Sequence, residues 1–212
     1  MADKPKIIFI IGMHRCGTSL LSNCLIKNGF SIGKTQNQDK NWQNPNGYFE
    51  NDTLTNFHEE LLAYNNSDWL NINTTHMIYN NNHINRYRIL LQTEFQNNDL
   101  ILIKDPRLTF FTDFLINVCN DKYDYYFVFL TRNKIECCSS LSQAQNKPYD
   151  KTSKLYDKTM SYYKDSFFKV DHNNIINNNN DTLIKLANFC KFSLIQNTEE
   201  IVDYKLYRHR NI

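Results

Sequence analysis

A glycine-bracketed loop near the N-terminus has the residue types and spacing of a phosphate-binding site. It follows the apolar run IIFII and begins at Gly12, and Gly17 is followed directly by Thr18 and Ser19. This is the spacing of the G-x-x-x-x-G-K-S/T loop, in which backbone amides surround phosphate groups. Thr18 stands where that motif has lysine, and a cation lies inside the loop instead, at Arg15. The sequence therefore predicts a phosphate ligand without the lysine that holds the terminal phosphates of ATP or GTP.

Two further apolar runs also lead into cations. The run LILIK ends in Lys104 and is followed closely by Arg107, and the run YYFVFLT is followed by Arg132. In parallel α/β sheets, ligands bind at the carboxyl ends of the strands. We therefore expect Arg15, Lys104, Arg107 and Arg132 to converge on one rim as an anion site, although a surface ion pair is the alternative for each cation taken alone.

The elements that must position these residues alternate along the chain. Short, continuous apolar runs predict buried strands at residues 6–11, 100–104, 125–131 and 167–170. Apolar residues at helical spacing, with polar caps, predict helices at residues 18–28, 51 or 52–64, 82–95, 108–119, 134–145, 149–164 and 182–192. Together with the phosphate loop, this order predicts an α/β fold of the P-loop type, with three layers α/β/α and a central, mainly parallel sheet of about four to five strands. No internal repeat or linker is visible, so residues 1–212 are expected to form a single domain.

The composition excludes several broad classes of function. A net charge of +2 over 212 residues gives no general electrostatic case for nucleic acid or an anionic membrane. No apolar stretch approaches the roughly 20 residues of a membrane span, and the start MADKPK does not resemble a signal peptide. The six cysteines form no CxxC pair, which predicts free buried thiols and a cytoplasmic protein. The six histidines form no HExxH pair, which predicts that the protein has no metal site.

Three segments together resemble the sulfotransferases that use 3'-phosphoadenosine 5'-phosphosulfate (PAPS). The run HRCGTS resembles the P-K/R-S-G-T-T/S loop of that family, and LIKDPR resembles a segment of its bacterial and Golgi-type branches. Arg132, Glu136 and Ser140 match the R-N-P-x-D/E-x-x-x-S segment at the family's spacing. The resemblance covers about residues 6–145 and, more faintly, the C-terminus. It implies metal-free transfer of a sulfonate from PAPS to the hydroxyl or amine of a small-molecule or carbohydrate acceptor.

The resemblance also implies roles for individual residues. The 5'-phosphosulfate would be bound by the loop, through Arg15, Cys16, Gly17, Thr18 and Ser19. Arg132 and Ser140 would bind the 3'-phosphate, and Arg15 and Lys104 would stabilise charge that develops next to the sulfonate. The family's C-terminal motif is absent, and Arg208 in the basic tail either takes its place at the 3'-phosphate or belongs to a solvated terminus.

A general base is also needed, because the acceptor must lose a proton. Related enzymes use a glutamate after the first helix, which indicates Glu50; a charge that complements a helix N-terminus is the alternative. The other candidates are Asp105, His14 and His58. We expect Asp105 to orient a neighbouring cation instead, and His14 to be a spacer, since it stands where the family usually has proline.

The sequence departs from the family pattern at two positions in the motifs. Cys16 replaces a serine, and its thiol is either packed or reactive at a helix N-terminus. Lys134 replaces a proline.

Four aromatic residues either contact the acceptor or belong to the core. They would suit a sugar ring or an apolar alcohol, and they are Trp42, Tyr48, Phe49 and Trp69. The alternatives to a sulfotransferase are a P-loop nucleotide kinase-like enzyme and a catalytically degenerate protein that binds nucleotide or a protein partner.

Overall fold

A four-stranded parallel sheet forms the centre of the molecule in a computed structural model that describes residues 4–35, 47–177 and 179–195. Its strands are β1 (Lys6–Gly12), β2 (Leu100–Lys104), β3 (Asp124–Thr131) and β4 (Phe168–Asp171). The spatial order is β2-β1-β3-β4, and each neighbouring pair is parallel. Helices cover both faces of the sheet, so the side chains of β1 are buried whichever face they point to. β1 is therefore an unbroken apolar run, because polar residues at alternate positions would be buried without water. The predicted α/β fold with a mainly parallel sheet is confirmed, with four strands among the described residues.

Helices alternate with these strands as the sequence pattern predicts. Their bounds are α1 (Thr18–Lys27), α2 (Asp52–Tyr64), α3 (Asn81–Glu94), α4 (Thr112–Cys119), α5 (Lys134–Gln145), α6 (Tyr149–Met160), α7 (His172–Asn177) and α8 (Asn179–Cys190). Asparagine side chains cap two of the helices that carry site residues. Asn51 accepts a hydrogen bond from the Leu54 amide at the start of α2, and Asn133 accepts from the amides of Ile135 and Glu136 at the start of α5. Asparagine therefore has a local structural use at the start of these two helices.

Two predicted element bounds are wrong, and one short helix was not predicted. The helix predicted at 108–119 is divided into a 3₁₀ segment (Pro106–Phe111) and α4, because the Asp105 side chain caps the Arg107 amide and holds a tighter turn. The helix predicted at 149–164 ends at Met160, and the chain then forms a turn in which the Tyr162 amide donates to the Thr159 carbonyl. The last predicted helix, 182–192, corresponds to α8, and it is preceded by a short helix, α7, that the sequence did not predict and whose Ile175 and Ile176 are buried.

The core is one contiguous apolar cluster on both faces of the sheet. All five residues of β1 from Ile7 to Ile11 are fully buried, and side chains from α1 and α4 pack against the sheet. The six cysteines are buried free thiols, as predicted. None of the helices within the described ranges is long and apolar enough to cross a membrane.

Candidate active site

The loop that follows β1 is held in one backbone path by contacts from two neighbouring elements. A Cβ atom at Gly12 would lie 2.5 Å from the Leu130 carbonyl oxygen of β3, so only glycine fits there. The Gly12 amide donates to the Thr109 hydroxyl at 2.8 Å. A turn follows in which the Cys16 amide donates to the Met13 carbonyl at 3.3 Å, and Arg15 takes a φ of 68° inside it. Such a backbone costs a non-glycine residue about 1–2 kcal/mol, which is typical of strain retained at a functional site.

The loop leads directly into the N-terminus of α1. Among the described residues no side chain caps this helix, and its first turn contains no acidic residue. The amides of a first helical turn carry partial positive charge and lack partners within the helix, which favours a bound anion. Gly17 precedes the helix with a φ of 92°, and a Cβ there would lie 2.3 Å from Cδ2 of His172. Thr18, the first residue of α1, is 4% exposed.

The two predicted cofactor-binding motifs meet, although more than 100 residues separate them. Arg15 Nε donates to the Ser140 hydroxyl at 3.1 Å, and Arg132 Nη1 donates to the Arg15 carbonyl at 3.1 Å. Arg132 is 8% exposed and also donates through Nε to the Glu136 carboxylate at 3.1 Å. The Tyr156 hydroxyl donates to the Arg132 carbonyl at 2.7 Å, a contact that no sequence motif indicated. The structure therefore brings Arg15, Arg132 and Ser140 together at the carboxyl ends of β1 and β3.

The Cys16 thiol is buried against the thiol of Cys137. Its Sγ lies 3.4 Å from Cys137 Sγ, and Cys137 Sγ lies 3.1 Å from the His14 carbonyl oxygen. Both cysteines are fully buried, and burial raises the pKa of the Cys137 thiol well above its usual value. Of the two interpretations that the sequence left open for Cys16, this geometry favours packing.

Glu50 and Lys104, the two residues assigned to proton transfer and charge stabilisation, are in direct contact. Lys104 Nζ donates to Glu50 Oε1 at 2.6 Å, and Arg107 Nη2 donates to Glu50 Oε2 at 3.3 Å. Lys104 ends β2 and is 4% exposed, whereas Glu50 immediately precedes the Asn51 cap of α2. An acidic group and two cations are thus assembled at the carboxyl end of β2.

One carbonyl oxygen joins this group to the phosphate loop. The Tyr48 carbonyl accepts from the Lys104 ammonium at 3.0 Å and from the Ser19 hydroxyl at 3.4 Å. Ser19 belongs to the first turn of α1 and Lys104 to the end of β2, so the predicted phosphate-binding and catalytic residues are neighbours. The expected convergence of cations from three strands on one rim is consistent with these contacts.

Asp105 is committed to two neighbouring side chains. Its carboxylate accepts from Arg107 Nε at 2.8 and 2.9 Å, from the Arg107 amide at 2.9 Å and from His58 Nδ1 at 2.7 Å. Burial alone would raise the pKa of Asp105, but the Arg107 guanidinium and His58 together hold it far below its usual range. Asp105 is 1% exposed and has both carboxylate oxygens engaged, whereas the Glu50 side chain is 14% exposed, so the geometry favours Glu50 over Asp105 as the proton acceptor.

His14 is also a poor base. Desolvation and the nearby Arg107 guanidinium lower its pKa to about 3, so the ring is neutral and binds a proton weakly at neutral pH. Its ring packs edge-on against Trp69 with centroids 5.2 Å apart. Trp69, Tyr48 and Phe49 are partly buried. Trp42, a candidate for the acceptor site or the core, and Arg208, a candidate for the 3'-phosphate or a solvated terminus, lie outside the described residues.

His172 is a site neighbour that the sequence motifs did not identify. Its ring packs behind Gly17 and is 5% exposed. Burial, with a contribution from Arg132, lowers its pKa to about 3, so the ring is neutral beside the loop. A buried histidine at the start of α7 gives no signal in a single sequence, because only the fold places it against the loop.

Glu94 anchors the chain on both sides of the segment that carries Glu50. Its Oε2 accepts from the Thr35 amide at 2.8 Å, from the Lys34 amide at 3.0 Å and from Asn51 Nδ2 at 2.8 Å. The Thr35 hydroxyl donates to Oε1 at 2.8 Å. Burial alone would raise the pKa of Glu94, but these donors outweigh burial and lower the pKa from 4.5 to about 2.

This depressed pKa predicts an acid-dependent loss of stability. A group whose pKa is lower in the folded state stabilises the fold above its unfolded pKa of 4.5, and that contribution is lost as the pH falls toward 2. We expect Glu94→Gln to lower the free energy of unfolding by about 1–3 kcal/mol at pH 7, the cost of losing hydrogen bonds to a charged group, and by much less near pH 2. Urea unfolding at a series of pH values would measure this difference. The matched control is Glu60→Gln, which removes only an exposed ion pair with Arg86, and a pH-independent effect of Glu94→Gln would contradict the prediction.

The chain resembles known proteins both in its sequence pattern and in its fold. The family model described as "Sulfotransferase family" matches residues 5–196. A sulfotransferase domain of the olefin synthase from Synechococcus PCC 7002 is similar in structure, with a TM-score of 0.56, 11% identity, and coverage of 99% of this chain and 85% of that one. The sulfotransferase domain of the curacin biosynthetic pathway gives a TM-score of 0.55 at 14% identity, covering 98% and 79% of the two chains. Sulfotransferase STF9 from Mycobacterium avium gives a TM-score of 0.54 at 13% identity, and the match covers 94% of this chain and 67% of that one. No curated protein matched the sequence.

Proposed function

This chain belongs to the sulfotransferase family, and we propose that it transfers a sulfonate from PAPS to the hydroxyl or amine of a small-molecule or carbohydrate acceptor. The observation that carries the proposal is the contact of Arg15 with Ser140 and of Arg132 with the Arg15 carbonyl. These bonds support the proposal, because the loop proposed for a 5'-phosphosulfate is in contact with the pair proposed for a 3'-phosphate. PAPS carries both groups, whereas ATP has no 3'-phosphate.

The residues present fit PAPS at both of its charged ends. The N-terminus of α1 has no side-chain cap among the described residues, so its first amides and Arg15 would hold the 5'-phosphosulfate. Arg132 and Ser140 would hold the 3'-phosphate, with the planar guanidinium able to bind two phosphate oxygens. Arg15 now donates to a neutral hydroxyl, and a phosphate oxygen is a stronger acceptor for the same donor.

The catalytic residues have separate tasks in this proposal. PAPS, when bound, supplies a sulfonate whose bond to the 5'-phosphate oxygen breaks as the acceptor attacks sulfur. Glu50 removes the acceptor's proton, and the two cations that contact it hold its carboxylate in place. Lys104 and Arg15 stabilise the negative charge that develops on the leaving phosphate oxygen. Alignment of acceptor and donor by these fixed groups supplies much of the rate enhancement.

The nucleotide kinase alternative has less support from the geometry. A kinase of the P-loop class would need a carboxylate for Mg²⁺ near the phosphates, and Asp105 is the candidate after the second strand. Its carboxylate instead accepts four hydrogen bonds from Arg107 and His58. The described residues contain no cluster of three or more metal-binding side chains.

Ligand-induced thermal shifts test the proposal against its alternatives. We expect PAPS and 3',5'-adenosine bisphosphate each to raise the unfolding temperature, since a ligand at 100 times its dissociation constant stabilises by about 2.7 kcal/mol. Adenosine 5'-phosphosulfate, which lacks the 3'-phosphate, should stabilise much less, and ATP with Mg²⁺ should have little effect. Stabilisation by ATP with Mg²⁺ alone would favour the kinase alternative. Stabilisation by PAPS without any sulfonate transfer to a panel of alcohols, sugars and amines would favour a degenerate binding protein.

A further inference from the structure

A chain of buried polar side chains leads from α3 to the Glu50 carboxylate. The Tyr87 hydroxyl on α3 lies 2.9 Å from His58 Nε2 on α2, and His58 Nδ1 lies 2.7 Å from Asp105 Oδ2. Asp105 holds Arg107, and Arg107 in turn holds Glu50. Tyr87, His58 and Asp105 are at most 1% exposed, so the first three members of this chain touch neither solvent nor the proposed reacting groups.

The hydrogen bond between His58 and Asp105 has a defined direction. An ionised carboxylate can only accept, so His58 Nδ1 must donate to Asp105. The Tyr87 hydroxyl occupies the other ring nitrogen, Nε2, at 2.9 Å. Burial, with a contribution from Asp105, raises the pKa of Tyr87 well above its usual value, so this hydroxyl keeps its proton. Tyr87 therefore helps to hold the His58 ring in the orientation that places Nδ1 at Asp105.

Asp105 fixes the plane of the Arg107 guanidinium. Its carboxylate accepts hydrogen bonds from both the backbone amide and Nε of Arg107, and these two bonds close a short ring at the start of the 3₁₀ segment. The two outer nitrogens of the guanidinium are then directed at Glu59 and Glu50, at 2.7 and 3.3 Å. Since a guanidinium is rigid and planar, the orientation set at Nε determines where Nη2 holds the Glu50 carboxylate.

We propose that His58 and Tyr87 are positioning residues for Glu50: they hold Asp105 in the orientation that directs Arg107 Nη2 at the Glu50 carboxylate. The role of Glu50 as proton acceptor rests on the proposed sulfonate transfer, but the positioning of Arg107 does not. His58 is thus not a base for the acceptor, because its two ring nitrogens are already engaged with Asp105 and Tyr87. Loss of the chain should misplace the carboxylate while leaving the phosphate-binding residues in place.

The first measurement needs neither PAPS nor an acceptor. In ¹⁵N NMR spectra, a guanidinium that is held at Nε and at both outer nitrogens rotates slowly and gives separate Nη signals. We expect separate signals for Arg107 in the wild type and merged signals in His58→Ala. His58→Asn keeps an N–H donor near the position of Nδ1 and should restore the separate signals. Identical Arg107 spectra in His58→Ala and the wild type would overturn the proposal, whether or not the protein is a sulfotransferase.

The second measurement separates positioning from a merely structural role. We expect His58→Ala to lower the turnover of PAPS on the order of tenfold or more, with the affinity for 3',5'-adenosine bisphosphate unchanged and activity recovered in His58→Asn. Loss of bisphosphate affinity in parallel with turnover would show a general structural defect and overturn the proposal. A wild type that binds no PAPS would refute the proposed function but leave the NMR result valid.

Tyr87→Phe covers the case in which His58→Ala does not fold. It removes one hydroxyl and should also speed the rotation of the Arg107 guanidinium and lower turnover. Its matched control is Tyr79→Phe, because the Tyr79 ring packs edge-on against Phe114 as the Tyr87 ring does. The Tyr79 hydroxyl contacts Asn117, outside the chain. Equal effects of the two tyrosine variants would contradict the proposal.

Discussion

Replacing Glu50 by glutamine should lower the rate of sulfonate transfer by about 100- to 10,000-fold, the usual contribution of a general base. The substitution keeps the size of the side chain and an acceptor oxygen that Lys104 can still contact, so the local structure should persist. The affinity for 3',5'-adenosine bisphosphate should stay within about twofold of the wild type, because among the described residues the Glu50 carboxylate contacts Lys104 and Arg107 and not the loop amides or the pair Arg132 and Ser140 that would hold the two phosphates. Release of the bisphosphate from PAPS in the presence of an acceptor panel would give the rate, and calorimetry the affinity.

Glu59 offers a matched control for this variant. It contacts the same guanidinium, through Arg107 Nη1 at 2.7 Å, but its side chain is 57% exposed. Glu59→Gln should therefore leave the rate within a few-fold of the wild type, since exposed ion pairs contribute about 1 kcal/mol or less. Equal loss of activity in Glu50→Gln and Glu59→Gln would indicate that the rate depends on negative charge beside Arg107 and not on Glu50 as a proton acceptor. Full activity in Glu50→Gln would exclude Glu50 as the base.

The sequence was sufficient to predict the sheet and the order of its strands along the chain. A buried parallel strand is a continuous apolar run, and β1, β2 and β3 each show one that ends abruptly in polar residues. Because parallel strands share one carboxyl edge, those endings alone predicted that Arg15, Lys104 and Arg132 would face a common rim. Nothing beyond strand direction was needed for that step.

The partners of each cation were not predictable in the same way. Hydrogen bonds between side chains depend on rotamers and on distances of a few tenths of an ångström, which spacing along the chain does not determine. The contact of Lys104 with the Tyr48 carbonyl is one example, since a backbone carbonyl in an irregular segment gives no sequence signal. The contact of His58 with Asp105 is another, because it joins α2 to the end of β2 across the fold.

The wrong bounds of the predicted helices have a local cause. A prediction from apolar spacing extends a helix until the pattern ends, whereas the chain follows its hydrogen bonds. Pro106 and the Asp105 side chain together favour a 3₁₀ turn, and that turn is what brings Arg107 back toward Asp105. The error at this position thus coincides with a residue of the candidate site, where local geometry is set by side-chain contacts.

Replacing Arg132 by alanine should weaken the binding of 3',5'-adenosine bisphosphate by about 10- to 100-fold, which corresponds to the 1.5–3 kcal/mol of a charge-assisted hydrogen bond. The loss should be much smaller for adenosine 5'-phosphosulfate, because that ligand lacks the 3'-phosphate that Arg132 would bind. Calorimetric titration of both ligands into the wild type and the variant would measure the difference. This comparison isolates the 3'-phosphate from any general effect on the phosphate loop.

Two further variants decide how such a loss arises. Arg132 also donates to the Arg15 carbonyl, so alanine could disturb the loop through that bond. Arg132→Lys keeps the charge but not the planar fork, and we expect it to recover only part of the affinity, because one ammonium cannot reach both the phosphate and the carbonyl in the same geometry. Lys134→Ala is the matched control, since Lys134 lies two residues away in an exposed ion pair with Asp157. If Arg132→Ala weakens the binding of both ligands equally, Arg132 acts by holding the loop. If it weakens the binding of the bisphosphate alone, Arg132 contacts the 3'-phosphate directly.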